Sequence, residues 1–298
     1  MNCKICNSDK AEFLGIRGNQ EYFGAPKLPD NQKHITTDIF RCSRCGFIYA
    51  NPAVSYSGRE EDYYNDAEGY SSSICENPLR IFYKTLDLIE RFAGHTGKLL
   101  DIGAAKGEFL AAARARGWEV FGVEPSENFT RYAKEKFGIN VINSSLTDKI
   151  FPENSFDVVT LNMVLEHIDD PQGLFLVIKK VLKEGGLLYI EVPNMDSGLL
   201  KMISLYYRLN GKNWSPFLSP FHPPYHCYGY QKQSLGHLCG INGFKIKKIF
   251  IREIGLRGFR FKERADKLSK CAIMLLARLM GCIGQGDILI ALAVKNSK

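Results

Sequence analysis

The sequence predicts an α/β chain: a mostly parallel sheet layered with helices, preceded by a small module stapled by cysteines. Three observations predict it. Between residues 98 and 193, short apolar runs alternate with helical periodicities, and such alternation builds parallel strands joined by crossover helices. Residues 1–50 instead hold Cys, Gly, Asn and Pro with little regular periodicity. Four of the nine cysteines fall in two Cys-x-x-Cys pairs, Cys3/Cys6 and Cys42/Cys45.

At 298 residues the chain suits one small and one large domain. We read residues 1–50 as a metal-binding module, 51–95 as a helical connector and 96–298 as the α/β domain, with an insertion at 194–230 that suits a lid. A composition of 45% hydrophobic and 24% charged residues excludes disordered and fibrous classes. The polar start "MNCKICNSDK" lacks an apolar core, so no secretory signal is expected. The apolar stretch "CAIMLLARLMGCIGQGDILIALAV" is interrupted by Arg278, Gln285 and Asp287; a buried helix and a strand fit it better than a membrane span. An odd cysteine count argues against a full disulfide framework, so a reducing cytoplasm is expected. Two Cys-x-x-Cys pairs supply the four thiolates of a closed tetrahedral zinc site. Cys3, Cys6, Cys42 and Cys45 would then hold a structural Zn2+ with no open position for a catalytic water.

In order, "NPLRIFYKTLDLIERFAG" carries Leu79, Phe82, Tyr83, Leu86, Ile89 and Phe92 at helical spacing. "KLLDIG" is a strand and "KGEFLAAARARG" a helix closed by Gly117. "EVFGVE" is the next strand, and "SENFTRYAKEKFG" a helix capped by Ser126. "INVIN" and "SFDVVTLN" are strands. "PQGLFLVIKKVLKEGG" reads as a helix with a glycine stop, and "LLYIEVPN" as the strand after it. The segment "NWSPFLSPFHPPYH", dense in proline and aromatics, breaks the alternation. "QKQSLGHLCGINGF" resumes a helix; "KIKKIFIREIG" and "DILIALAVK" are the last strands.

The chemistry concentrates in "LLDIGAAKGEFL". Its spacing, Asp101-x-Gly103-x-Ala105-x-Gly107, departs from the G-x-G-x-x-G of a dinucleotide site and adds a carboxylate. A phosphate would be repelled there. A ligand with a cationic amino acid end and a nucleoside end would fit, with Glu124 accepting from ribose hydroxyls. S-adenosylmethionine has these parts.

"DIGAAKGEFL", "VEPSE", "FPENSFDVVTLNMVLEHIDDP" and "LKEGGLLYIEVPN" resemble, in order, the motifs of class I S-adenosylmethionine-dependent methyltransferases over residues 95–195. The resemblance implies a Rossmann-like seven-stranded sheet, mostly parallel with its last strand antiparallel. It implies that Asp101, Gly103, Ala104 and Gly107 surround the methionine part of the cofactor. Glu124 would hold the ribose, Ser145 and Leu146 would lie near the adenine, and Asn162 and Met163 would flank the ligand. Ala105 replaces a glycine common in the family, which costs little if its φ stays negative.

The order of the four cysteines, "GYSSS", "NMVLEHI" and "PPYHCYGYQKQSL" is similar to that of a subgroup containing sugar C-methyltransferases. That likeness implies Tyr70, His167 and His226 near the acceptor, one histidine serving as general base. The subgroup has Glu immediately before its second histidine, where this chain has Tyr225, so carbon methylation of a keto-sugar does not follow. His167 also suits a packing role at a helix start. The expected acceptor is a small molecule, a sugar or nucleotide-sugar precursor being one candidate. A phosphate on it would suit the basic window 245–270, where ten Lys or Arg face Glu253, Glu263 and Asp266 and account for the net charge of +7. An RNA methyltransferase with a zinc-ribbon reader is the alternative, but the basic residues sit late in the chain and nucleic acid is the less expected partner. A non-catalytic interaction module on the same fold is a second alternative. Oligomeric state is not encoded in these patterns.

Overall fold

The computed structural model describes residues 2–17, 37–51, 78–218, 226–252 and 284–296. The chain divides into two compact units. The first is Met1–Glu60 with Val192–His237 and Phe250–Leu289; the second is Glu61–Glu191 with Leu238–Ile249 and Ile290–Lys298.

The first unit is built on a five-stranded sheet: β1 (Ala11–Arg17), β2 (Asp38–Cys42) and β3 (Ile48–Asn51), joined at its edges by β9 (Trp214–Ser215) and β10 (Tyr228–Gly229). β1, β2 and β3 form an antiparallel meander. Three strands therefore occupy a stretch whose composition showed little periodicity. Such strands are short, and their buried positions, Ile39, Phe47 and Ile48, are split by cysteine turns that hide the alternation. The block 194–230 also holds helix α5 (Gly198–Leu209), started by Ser197, whose side chain accepts from the Leu200 N–H at 3.3 Å. Ile39, Ile48, Ala50, Met195, Phe217 and Leu218 form the core of this unit, with Leu200 packed against it.

The second unit carries a seven-stranded sheet. Its strands are β4 (Lys98–Ile102), β5 (Glu119–Glu124), β6 (Ile142–Asn143), β7 (Phe156–Asn162), β8 (Leu182–Pro193), β11 (Phe244–Arg252) and β12 (Ile288–Lys295), in spatial order β11-β12-β8-β7-β4-β5-β6. The sheet is parallel but for one antiparallel end. Its helices are α1 (Pro78–Ala93), α2 (Glu108–Ala115), α3 (Glu127–Phe137) and α4 (Pro171–Val181); α6 (Lys232–Ile241), which precedes β11, begins in the first unit and ends in the second. β4 and β7 are buried on both faces, with Leu99, Leu100, Val158, Val159 and Leu161 fully enclosed; each such side chain contributes roughly 1.5–3 kcal/mol of burial. The chain leaves β4 toward β5 on one side and returns as β7 on the other, so β4/β7 is the topological switch point where such sheets bind ligands.

α4 ends earlier than its pattern suggests. "LKEGG" belongs to β8, because Leu182 pairs with Phe156 and is fully buried, a sheet contact that outweighs helix propensity. The basic window lies mostly outside the described residues; Lys245, Lys247, Lys248 and Arg252 stand on β11. No helix among the described residues is long and apolar enough to cross a membrane.

Candidate functional site

Three strand ends meet at the switch point, each with a polar side chain. Asp101 near the end of β4 is 2% exposed. Its Oδ1 accepts from the Thr160 hydroxyl at 2.6 Å and from the Asn162 amide at 3.0 Å, both on β7. Glu124 ends β5, and its two oxygens accept the backbone N–H groups of Ala105 and Ser126, each at 3.0 Å. The Asn143 amide of β6 donates to the Glu124 and Pro125 carbonyls. Ser145 and Leu146 follow at once, Ser145 exposed and Leu146 partly so.

The turn after β4 is pinned to β5, since Gly103 and Ala104 N–H groups both donate to the Val123 carbonyl. Gly103 has φ 72°, and a Cβ there would stand 2.5 Å from Val164 Cγ2; Gly107, at φ 75°, caps α2. Both positions therefore need glycine. Ala105 corrects the expectation of a harmless substitution: its φ is 45°, in the left-handed region that costs an L-residue ~1–2 kcal/mol. Met163, with φ 56°, is a second non-glycine residue held there, and such strain gathers at functional sites. Its N–H donates to the Glu191 carbonyl.

The electrostatics of this edge favour a cation. Burial pushes the Asp101 carboxyl up to about 7; hydrogen bonds from Thr160 and Asn162 oppose the rise, and the Glu124 charge adds to it. Burial raises Glu124 as well, against its two backbone hydrogen bonds. On the 3-10 turn Leu165–His167, Glu166 is buried and pushed up to about 8, mainly by burial, with the Glu191 charge adding to it. Glu191 accepts the Tyr189 hydroxyl at 2.5 Å. Carboxyls perturbed in this way are common at functional sites. Sequence reading passed over Glu166, although it adjoins His167 in "LEH"; its burial became visible only in the fold.

His167 is half-buried at the end of that turn. His226 belongs to the first unit, where it is half-buried and its carbonyl accepts from Arg17 Nη2 at 2.6 Å. Tyr70 lies outside the described residues.

The four cysteines of the first unit come together as their spacing suggests. Their sulfurs all lie within 4.8 Å of one another, with Cys3 and Cys45 3.6 Å apart and Cys6 and Cys42 3.5 Å apart. These are too long for disulfides. They are close to the roughly 3.8 Å edge that Zn–S bonds of ~2.3 Å give a tetrahedron. The two knuckles are alike in their backbone. Asn7 N–H donates to the Cys3 carbonyl and Gly46 N–H to the Cys42 carbonyl, both at 2.9 Å. Each knuckle ends on a left-handed residue, Asn7 at φ 55° and Gly46 at φ 75°. Burial raises the Cys6 thiol, and the neighbouring Cys3 sulfur, with burial second, raises that of Cys45; four sulfurs at this spacing are the donor set of a closed tetrahedral zinc site.

The methyltransferase-domain family matches residues 79–249. An uncharacterized protein of Methanocaldococcus jannaschii is 32% identical over 136 residues, 46% of this chain and 63% of that protein. A ubiquinone biosynthesis O-methyltransferase of Hahella chejuensis is 30% identical over 170 residues, 52% of this chain and 69% of that enzyme. The chain thus spans about two thirds of the length of these curated relatives. Among solved structures, a chain of the complex between the Haloferax volcanii Trm112 methyltransferase activator and a methyltransferase superposes with a TM-score of 0.54. It is 14% identical, and the match covers 81% of this chain and 99% of that one, a likeness of fold.

Proposed function

The chain belongs to the methyltransferase-domain family, and we propose that it is an S-adenosylmethionine-dependent methyltransferase that acts on a small molecule at the carboxyl edge of its seven-stranded sheet. The observation that carries this reading is the buried Asp101 carboxyl, held at the switch point above a glycine turn and beside Glu124. A buried carboxylate at such an edge suits the cationic ammonium of an amino acid end. Relatives named as ubiquinone biosynthesis O-methyltransferases support a hydroxyl-bearing small molecule as acceptor. The four-cysteine segment favours a sugar or nucleotide-sugar precursor as the second candidate, and a phosphate on that acceptor would suit the basic window.

S-adenosylmethionine, when bound, supplies a methyl on a sulfonium centre, so transfer is an in-line displacement whose leaving group needs no acid. Asp101 would hold the ammonium of the amino acid end, its Oδ1 already oriented by Thr160 and Asn162. Gly103, Ala104 and Gly107 would let the backbone approach the ligand closely. Glu124 keeps further lone pairs for ribose hydroxyls while its oxygens tie down the turn. Ser145 and Leu146 would flank the adenine, and Asn162 and Met163 would close the wall beside the reacting centre. His167 would take the acceptor's proton. By the resemblance, Tyr70 and His226 are the other candidates for acceptor contacts. Alignment of donor and acceptor within ~3–3.5 Å supplies much of the acceleration.

We further propose that Cys3, Cys6, Cys42 and Cys45 hold one Zn2+ that shapes the first unit and takes no part in the chemistry. A thiolate zinc site and an odd number of cysteines suit a reducing, cytoplasmic setting.

Incubation with methyl-labelled S-adenosylmethionine tests the acceptor class, with hydroxylated aromatics, nucleotide sugars and total RNA offered in parallel. Label is expected in a small-molecule fraction. Label confined to RNA would replace this reading with an RNA methyltransferase.

A further inference from the structure

We propose that helix α5 of the first unit docks the chain onto an anionic membrane surface through an apolar stripe. The stripe consists of Met202, Leu205, Tyr206 and Leu209. These positions recur at i, i+3, i+4 and i+7 and fall within one sector of roughly 100° at 3.6 residues per turn. All four are exposed, Leu209 by 78% and Tyr206 by 60%. Of the twelve exposed large hydrophobic residues among the described ones, these four fall on a single twelve-residue helix.

The opposite face already has its partner. Tyr207 is buried and meets the Trp214 ring edge-on, with centroids 5.5 Å apart, and Leu200 packs on the core of the unit. The helix is therefore seated by one face and presents a second apolar face outward. A surface helix normally turns charge to that side.

The charges that are present name the occupant. The stretch 198–212 carries Lys201, Arg208 and Lys212 and no acidic residue. Lys201 and Arg208 are exposed along one border of the stripe; Asp196, just before the helix, pairs with Lys201 at 2.9 Å. Basic residues beside an apolar stripe match an anionic headgroup layer over acyl chains. Twelve residues span only ~18 Å, so such a helix lies in the interface and does not cross it. A second copy of the chain is the poorer fit, because a stable interface takes about 20–30 residues a side and the stripe offers four. This inference stands independently of the acceptor chosen above.

Co-sedimentation of the full chain with two vesicle types tests it: phosphatidylcholine alone, and phosphatidylcholine mixed with phosphatidylglycerol. The chain is expected to pellet with the anionic vesicles and to be released by salt. The double variant Leu205→Glu/Leu209→Glu should weaken partitioning by at least about tenfold while leaving S-adenosylhomocysteine affinity and melting temperature unchanged. Lys201→Ala/Arg208→Ala should lower binding to anionic vesicles and not to neutral ones. A chain that stays in the supernatant with anionic vesicles, or a Glu double variant that binds as well as wild type, would overturn the proposal. So would a wild-type dimer in sedimentation velocity that this double variant dissolves, since a second copy would then cover the stripe.

Discussion

Asp101 joins function to stability through one proton. Its carboxyl titrates near 7 in the folded chain, against 3.8 for an ordinary aspartate, so the folded state holds a proton that the unfolded state has lost. Its contribution to stability therefore falls as pH rises from about 4 to about 7 and is level above that. Asp101→Asn, whose amide oxygen can still accept from Thr160 and Asn162, is predicted to stabilise the chain at pH 8 by at least ~1 kcal/mol in denaturant melts. Ala105→Gly is predicted to add ~0.5–1 kcal/mol by the same measurement, because it relieves a left-handed alanine. Asp101 and the glycines were legible in the sequence because only a few ligands need a carboxylate and a bare backbone at one turn. The strain at Ala105 and the burial of Glu166 were not, since neither a dihedral angle nor a neighbour's packing is written in residue type.

At the scale of elements, Glu124 serves two ends at once. It ties the turn after β4 to the start of α3 through the Ala105 and Ser126 N–H groups, so Glu124→Ala should both loosen that turn and remove a ribose acceptor. Calorimetry with S-adenosylhomocysteine is predicted to show a loss of about two orders of magnitude in affinity, two charge-assisted hydrogen bonds being worth ~3 kcal/mol or more. The melt should show a smaller loss of stability, with the fold retained. The cysteine knuckles behave as a single element in the same sense. Cys42→Ser is predicted to lower metal content from about one zinc per chain toward zero and to expose the Gly46 amide, now bonded to the residue 42 carbonyl, to rapid hydrogen exchange. Retention of one zinc per chain would remove Cys42 from the ligand set. Element types were readable wherever periodicity ran long, as in α1 and α3. Boundaries failed at "LKEGG", where pairing with β7 won, and α5 went unread because its outward face is as apolar as its inward one.

Across the whole molecule, the alternating order of strands and helices was enough to predict the parallel sheet and its switch point. The order of motifs predicted the family. The composition of two units was not readable, because β9 and β10 come from residues more than 160 positions after β3 and join the N-terminal strands only in three dimensions. The most direct measurement is a calorimetric titration of S-adenosylhomocysteine into the wild-type chain at pH 6 and pH 8, in buffers of different ionisation enthalpy. A carboxyl near 7 that must ionise to hold an ammonium should release close to one proton on binding at pH 6, and almost none at pH 8. Affinity should rise by about tenfold between them. Equal affinity at both pH values with no proton released, or binding undiminished in Asp101→Asn, would contradict the placement of the cofactor at this carboxylate.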